Sequence, residues 1–542
     1  MLTYQSSQDI SITPTKGQDK PWLLLLLCCF WLIPGLVGHD PWKPDENVSM
    51  AIISYFMRHS DWTVASIAGV PQFSQAPLYF WVATLFVNAL SWFGVAAHDA
   101  ARLSTGFWMA VGLWGVGLAG RELFGRRNGR LSVVILLGCL GLPLWGHHIS
   151  PAVVLLAGFA WYVYALALAL KQPLRAGVLL ACVFIVLLTG ASWADALFAV
   201  LFAIFLFVFP QWRKFSYLIT LITAILIAIP IAALWGYSLK ANSSELFQTW
   251  WRYYAWGPFG GARSFAVGTS VGFLPTLLIW FAWPALPLAA WSVYLFRKEL
   301  WQPHWQLLIS ALFFKSLFIM LATQQSEALV LPLLVPLVLL ASGGVDELRR
   351  GAAAALNWFS LVTLGLAALV IWLIWIGLVT GMPLTLVDYF ARFSPADVHW
   401  KGWGFVFALL VTLVWGRVLF RKQPLGRRAL TNWTSGLTLV IGLLVGLFQT
   451  WIDVGKSYRP VAESLSAFMD GKHAQCIDVS TIAKDPTAAL VYFTDLALDA
   501  RPDNECLFVI RQTASKESAT PEVLWSGHRL GDQKEIFSLY RR

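Results

Sequence analysis

The sequence has 542 residues, of which 58% are hydrophobic and 13% charged, whereas a soluble globular chain has roughly 25% charged residues. This composition excludes an ordinary soluble protein. The formal net charge of +10 does not indicate nucleic-acid binding, because the cations fall in short clusters between apolar runs. We therefore predict an all-α polytopic membrane protein.

The N-terminal part of the chain sets the predicted orientation. Residues 1–20 are polar, carry Lys16 and Lys20, and are predicted to form a cytoplasmic tail. The next apolar run, about 21–38, lacks a small-residue cleavage site and is predicted to remain as the first crossing. The positive-inside rule places the arginines within 121–130 in the cytoplasm, so the chain must cross back once before them. Only one of the two intervening apolar segments, 78–93 and 103–120, can therefore cross the membrane. We predict that 103–120 crosses, and that the shorter 78–93 lies on the outer surface or dips in and returns.

Eleven further apolar segments bring the predicted total to about thirteen crossings. They are 131–146, 150–170, 176–189, 196–210, 215–235, 272–295, 305–321, 328–343, 353–380, 403–419 and 433–451. With this assignment every later basic cluster falls on the cytoplasmic side, which agrees with the positive-inside rule. The membrane domain is thus predicted to span 21–452.

Residues 453–542 are predicted to form a small external domain. This segment combines predicted strands at Leu507–Arg511 and Ile536–Tyr540 with a predicted helix at Arg459–Met469, which favours an α/β fold. Its two cysteines, Cys476 and Cys506, are plausible disulfide partners. In a bacterial inner membrane this side is periplasmic and permits disulfides.

Two long external loops, 39–102 and 236–271, are the predicted places for function, because such loops usually bind or react. The first carries Asp45, Glu46, Arg58 and Asp61, among other ionisable residues. The second mixes aromatic and cationic residues that suit sugar rings and phosphate, including Arg252 and Tyr253. One further cation, Lys315, lies inside an apolar helix, where phosphate binding and membrane anchoring both remain open.

The first loop resembles that of the GT-C glycosyltransferases, and is most similar to the lipid A aminoarabinose transferases and the protein O-mannosyltransferase-like group. The resemblance rests on Pro44-Asp45-Glu46-Asn47, Arg58-His59-Ser60-Asp61-Trp62, Ala68-Gly69-Val70-Pro71-Gln72-Phe73 and Ala76-Pro77-Leu78-Tyr79-Phe80-Trp81. It implies a GT-C-like fold and inverting sugar transfer from a polyprenyl-phosphate donor to a lipid or protein acceptor at the periplasmic face of the inner membrane.

The resemblance also implies roles for individual residues. Asp45 is the expected general base or electrostatic support, and Glu46 its helper. The expected substrate-binding residues are Arg58, Asp61, Gln75, Tyr79, Arg252, Tyr253 and Lys315. No cofactor is certain, and a divalent metal ion is left open; His147 and His148 are interpreted as a polar helix cap, not as metal ligands.

The sequence departs from the family pattern at three places. The family's Glu-Lys-Pro-Pro is Ser74-Gln75-Ala76-Pro77 here, a second acidic residue is absent near Ala152, and Gly190-Ala191-Ser192 replaces a lysine-containing turn. These departures keep open the alternative of a non-catalytic GT-C-like assembly or lipid-binding protein of the envelope.

Overall fold

The computed structural model describes residues 22–268, 270–391, 402–421, 423–472, 475–513, 523–530, 532 and 534–542. The predicted cytoplasmic tail, 1–20, lies outside these residues. The described chain is mainly helical, because long apolar runs in lipid must satisfy their backbone polar groups within the segment. The helices are α1 (Trp22–Leu32), α2 (Glu46–Arg58), α3 (Leu78–Ser91), α4 (Ala97–Phe124), α5 (Arg126–Leu137), α6 (Pro143–Gly146), α7 (Ala152–Leu168), α8 (Pro173–Gly190), α9 (Trp193–Phe205), α10 (Phe215–Asn242), α11 (Ser244–Tyr253), α12 (Phe273–Phe281), α13 (Ala285–Leu295), α14 (Pro303–Leu321), α15 (Glu327–Val330), α16 (Leu334–Gly344), α17 (Arg350–Thr380), α18 (Leu384–Ala391), α19 (Gly402–Leu419), α20 (Leu425–Lys456), α21 (Arg459–Met469) and α22 (Lys484–Phe493).

The membrane domain is a bundle of apolar helices. Among the described residues, 8 helices are long and apolar enough to cross a membrane, or up to 9 if a bent pair counts as one crossing. Four shorter apolar helices accompany them: Trp22–Leu32, Leu78–Ser91, Ala152–Leu168 and Trp193–Val208. The polytopic all-α fold is therefore confirmed, and the number of about thirteen crossings stays a prediction.

The apolar segment 272–295 was predicted to be one crossing, but it forms two helices, α12 and α13, bent by 97°. Pro284 stands at the bend and has no amide hydrogen with which to continue a helix. The carbonyl oxygens of Phe281 and Trp283 instead accept from the amides of Gly141 (2.9 Å) and Leu140 (3.2 Å). A Cβ at Gly141 would lie 2.2 Å from the Phe281 ring, so this contact requires glycine.

Helix α7 lies at the centre of the bundle, and 15 of its 17 residues are buried. Helix α4 approaches it closely through Gly112 and Gly115, where an added Cβ would come within 3.5 Å of Ala157 and 3.1 Å of Ala160, respectively. Small residues at such crossings allow the close packing that holds helices together in lipid.

The C-terminal domain has its own sheet and core. Its strands are β3 (Ile477–Asp478), β4 (Leu498–Asp499), β5 (Phe508–Thr513), β6 (Trp525–His528) and β7 (Ile536–Arg541), arranged in the order β4-β3-β5-β7-β6. Strand β3 pairs parallel with β4 and β5, whereas β7 pairs antiparallel with β5 and β6. Helices α21 and α22 and the Cys476–Cys506 disulfide complete the domain. The predicted α/β fold, the helix and the disulfide are confirmed.

This domain sits on the first long loop. The loop contains a short hairpin, β1 (Ser66–Ile67) and β2 (Val70–Pro71), and the amide of Ala500 donates to the carbonyl oxygen of Ala68 at its turn (2.8 Å). Helix α22 packs along α2. The guanidinium of Arg459 binds the carboxylate of Asp40. The loop that was predicted to hold the chemistry is therefore covered on one side by the C-terminal domain.

Candidate functional site

Asp45 lies immediately before α2 and presents an exposed carboxylate. Its side chain caps no amide of the helix, and no described residue forms a hydrogen bond or salt bridge with it. Partial burial raises the pKa of Asp45, and the nearby imidazole of His148 opposes this change. The carboxylate is therefore available to a ligand.

The adjacent Glu46 has the opposite character, being buried with 2% exposure. Its carboxylate accepts from the amide of Trp42 (2.7 Å), the amide of Ile149 (2.8 Å) and Nε of Arg102 (3.0 Å). Burial alone would raise the pKa of Glu46, but the positive charge of Arg102, with smaller effects of neighbouring histidines, lowers it to about 2. Glu46 is thus an ionised anchor that fixes the turn carrying Asp45.

The cations closest to this turn already have partners. Arg102 also donates to Asp99 (3.0 Å) and to the carbonyl oxygen of Asp40 (2.6 Å). Lys43 lies 3.3 Å from Asp532. A phosphate near Asp45 therefore needs a cation from elsewhere.

Two consecutive residues of the C-terminal domain reach this region, and the sequence analysis identified neither. Nζ of Lys484 donates to Oγ of Ser74 (3.2 Å), and Lys484 has no salt-bridge partner among the described residues. Asp485 accepts from Nδ2 of Asn47 (3.1 Å). Burial, and then the charge of Asp45, raise the pKa of Asp485 to about 7. The only sequence signal for them was the lysine that is missing at Gln75 and the second acid that is missing near Ala152.

Arg58 and Asp61 do not join Asp45. They lie at the other end of α2, and a helix of that length separates its ends by roughly 20 Å. Arg58 faces Asp495 at 3.6 Å with both side chains exposed, and Asp61 accepts from the amide (2.9 Å) and hydroxyl (2.6 Å) of Thr63. A substrate-binding role for these two residues would need a ligand that extends along α2.

A cavity opens between α2, the 63–77 loop, the α8–α9 junction and α10–α11, with about 640 Å³ of space including the part open to solvent. Its walls include Gln75, Ser192, Trp193, Trp250 and Tyr254. Two polar atoms beside this space, Oε1 of Gln75 and Nε1 of Trp235, are buried and have no hydrogen-bond partner among the described residues. The structure therefore places Gln75 in the wall of a cavity. Buried polar atoms normally have hydrogen-bond partners, so a ligand or water could bind to these two atoms.

Tyr79 is fully buried and does not line this cavity. Its hydroxyl bonds with Oγ1 of Thr105 (2.7 Å), which in turn donates to the carbonyl oxygen of His148 (2.8 Å). Tyr79 thus supports the backbone beside Asp45. His147 contacts the carbonyl oxygen of Trp31 (2.8 Å) through Nε2, as expected for a structural group.

The predicted residues of the second loop lie beside the cavity. Arg252 donates to Gln248 one helical turn earlier (3.0 Å), and Tyr253 is 49% exposed. The cavity is instead lined by their neighbours Trp250 and Tyr254. Helix α11 thus turns a different face to the cavity than the one that carries Arg252 and Tyr253.

Lys315 is buried in the bundle and ion-paired with Asp195 at 2.7 Å. Asp195 also accepts from Oγ of Ser192 (2.7 Å), a residue of the cavity wall. The ammonium of Lys315 lies 4.1 Å from the centre of the Phe318 ring. Its charge is therefore balanced within the protein, and it reaches the cavity only through Asp195 and Ser192.

The described residues contain no group of three or more His, Cys, Asp or Glu side chains that could hold a metal ion. A divalent ion at Asp45 would consequently need ligands from the substrate.

No known protein-family model and no curated protein matches this sequence. Solved structures of ArnT share its fold. ArnT from Cupriavidus metallidurans bound to undecaprenyl phosphate gives a TM-score of 0.63 at 15% identity, over 96% of this chain and 98% of that one. The apo form gives 0.62 at 16% identity over the same shares. The oligosaccharyltransferase of Archaeoglobus fulgidus gives 0.44 at 11% identity, over 90% of this chain and 65% of its own.

Proposed function

Because the chain has the fold of ArnT, we propose that it is a membrane glycosyltransferase that uses a polyprenyl-phosphate sugar donor. The observation that carries this proposal is the contrast between Asp45, exposed and unpaired among the described residues, and the buried, paired Glu46. A free carboxylate on a rigidly held turn can take a proton or stabilise positive charge. The undecaprenyl phosphate bound to ArnT supports the class of the donor.

The proposed reaction is a single displacement, which inverts the configuration at the anomeric carbon of the sugar. An oxygen of the acceptor attacks the anomeric carbon, the bond from that carbon to the carrier's phosphate oxygen breaks, and the phosphate leaves with the electron pair. Asp45 takes the proton when the acceptor is a hydroxyl, and it supports the charge on the sugar when the acceptor is a phosphate. Glu46 acts as a positioning residue through Arg102 and the 147–149 turn. The acceptor is a lipid of the lipid A or lipopolysaccharide type, or a protein.

The proposed location is the bacterial inner membrane with the site on the periplasmic side. The basic clusters between apolar segments support this orientation, as does the Cys476–Cys506 disulfide of the C-terminal domain. Reporters fused after residues 94 and 460 should both be external. A cytoplasmic signal at either position would contradict this orientation.

The test compares envelope glycolipids and glycoproteins by mass spectrometry in a deletion strain complemented with the wild type, Asp45→Asn or Asp503→Asn. Asp503 is an exposed acid of the C-terminal domain and serves as the matched control. Complementation with the wild type or with Asp503→Asn should produce molecules that are heavier by one sugar than those of the deletion strain. Asp45→Asn should lower the transfer rate by about 10²–10⁴ while the protein remains folded.

Two results would contradict the proposal in different ways. If deletion changes no lipid or protein mass, the chain is better described as a non-catalytic lipid-binding or assembly protein with this fold. If Asp45→Asn restores the mass difference at the wild-type rate, the enzyme class stands but Asp45 is not its catalytic residue.

A further inference from the structure

The cavity lined by Gln75, Trp193 and Trp250 begins on α2 at Ile52, about two helical turns after Asp45, and its wall is unusual for a protein that handles charged lipids. None of the described residues that line it is charged. The nearest ion pair behind the wall is Asp195 with Lys315, and it is internally balanced. A charged group inside the cavity would lose water without gaining an opposite charge, which is strongly unfavourable.

The aromatic side chains of the cavity form one connected group. Trp250 lies edge-on to Trp193 and to Trp235, with ring centroids 5.7 and 4.9 Å apart. Phe73 and Tyr254 meet at 5.6 Å beside them. Rigid rings of this kind offer apolar faces that the C–H side of a sugar can cover.

The buried polar atoms near these rings match hydroxyl groups. Oε1 of Gln75 can only accept a hydrogen bond and Nε1 of Trp235 can only donate one, and neither atom has a partner in the described part of the chain. A hydroxyl both donates and accepts, so neighbouring hydroxyls of one ring can satisfy the two atoms. An ammonium could not accept from Trp235, and a carboxylate could not donate to Gln75.

A cation stands at one edge of the cavity. Ser74 lines the cavity and accepts from Nζ of Lys484 (3.2 Å). The next residue, Asp485, bonds to Asn47, two residues after Asp45. The first turn of α22 thus lies between the cavity edge and the start of α2.

We propose that this cavity binds the ring of a neutral sugar, so that the sugar handled by this chain carries hydroxyls but neither an amino nor a carboxyl group, while the linked phosphate stays outside near Lys484. This inference rests on the proposed function and adds the chemical class of the sugar.

The test measures binding to the full-length protein in lipid nanodiscs. Four probes share one polyprenyl phosphate: the bare carrier, and the carrier bearing glucose, 4-amino-4-deoxyarabinose or glucuronic acid. The glucose-bearing probe should bind at least about tenfold tighter than the bare carrier. The two probes with charged sugars should bind no tighter than the bare carrier.

Two conservative variants locate the effect. Gln75→Leu removes the acceptor, and Trp235→Phe removes the donor; each should abolish the advantage of glucose and leave binding of the bare carrier unchanged. Retained carrier binding also shows that the variant is folded. The matched control, Gln302→Leu, changes an exposed glutamine at the start of α14 and should behave as the wild type.

Equal binding of all three sugars, or an advantage of glucose that survives both variants, overturns the inference and leaves the proposed function standing. If the wild type binds none of the four probes, the proposed donor class fails and the inference fails with it.

Discussion

Nδ2 of Asn47 donates a hydrogen bond of 3.1 Å to Oδ1 of Asp485, joining the first turn of α2 to the first turn of α22. This bond brings residues 438 positions apart into one polar cluster. Asp45 stands two residues before Asn47, and its charge helps to raise the pKa of Asp485.

The contact between α2 and α22 should depend on pH. Burial and the neighbouring acids raise the pKa of Asp485 from its ordinary value of 3.8 to about 7. The folded protein therefore favours the neutral carboxyl of Asp485. The contribution of this group to folding stability is complete below about pH 4, where the carboxyl is neutral in both states, and it is lost as the pH rises through 7. Hydrogen exchange of α22, corrected for intrinsic rates, should be faster at pH 8 than at pH 5. Asp485→Asn should remove this difference, and equal protection of the wild type at both pH values would contradict the prediction.

Lys484 should contribute to phosphate binding, because its ammonium at Ser74 has no salt-bridge partner among the described residues. Lys484→Met should weaken binding of bare polyprenyl phosphate by roughly 10- to 150-fold, since a hydrogen bond to a charged group contributes roughly 1.5–3 kcal/mol. Titration in nanodiscs provides the measurement. Lys534→Met alters an exposed lysine of the same domain and should have no effect. Equal losses in both variants would indicate only a general effect of charge.

Replacing the carboxylate of Glu46 or of Asp45 by an amide should have different effects on folding stability. Glu46→Gln leaves the fully buried Arg102 without its principal anion, which typically costs about 3–5 kcal/mol of folding stability. Asp45→Asn changes an exposed group that no described residue pairs with, and it should leave the unfolding temperature unchanged. Thermal unfolding in detergent compares the two. A large destabilisation by Asp45→Asn would mean that this residue is structural.

Lys315 should be structural and not a ligand of phosphate. Lys315→Met leaves Asp195 buried and charged, and breaking a buried pair in this way costs about 3–5 kcal/mol. The double variant Asp195→Asn/Lys315→Met should recover most of this loss because no unpaired charge remains. If the double variant is stable but no longer binds polyprenyl phosphate, Lys315 contacts the substrate after all.

Cys476 and Cys506 should resist thiol reagents until they are reduced, because they are joined in the C-terminal domain. Mass spectrometry of the native protein, labelled before and after reduction, should show two additional labelled cysteines after reduction. Labelling of both without a reductant would place the domain in a reducing compartment.

Local patterns predicted the parts of this molecule whose structure is decided locally. The helix Arg459–Met469 has the predicted bounds, and strands β5 and β7 overlap their predicted segments, because apolar periodicity alone specifies them. The bend of 97° between α12 and α13 was missed although Pro284 is visible in the sequence. An apolar run does not reveal that backbone amides of another loop will donate to the carbonyl oxygens left free where its helix breaks.

The candidate site was only partly predictable for a related reason. Asp45 and Glu46 are adjacent and both acidic, so the sequence does not show which of them is buried. Only the structure distinguishes the exposed Asp45 from the buried Glu46. Arg58 lies close to Asp45 in sequence but at the far end of α2. Lys484 reaches Ser74 across 410 positions, a pairing decided by how two domains dock.

The pairing of Asp195 with Lys315 also constrains how the chain is made. The two residues are 120 positions apart, so helix α9 leaves the ribosome well before α14. At roughly 5–20 residues per second, the interval is about 6–24 seconds. Because an unpaired carboxylate is costly inside the membrane, Asp195 is expected to remain at the water interface during that time or to be sheltered by the insertion machinery. Stable membrane entry of α9 is therefore expected to wait for the synthesis of α14.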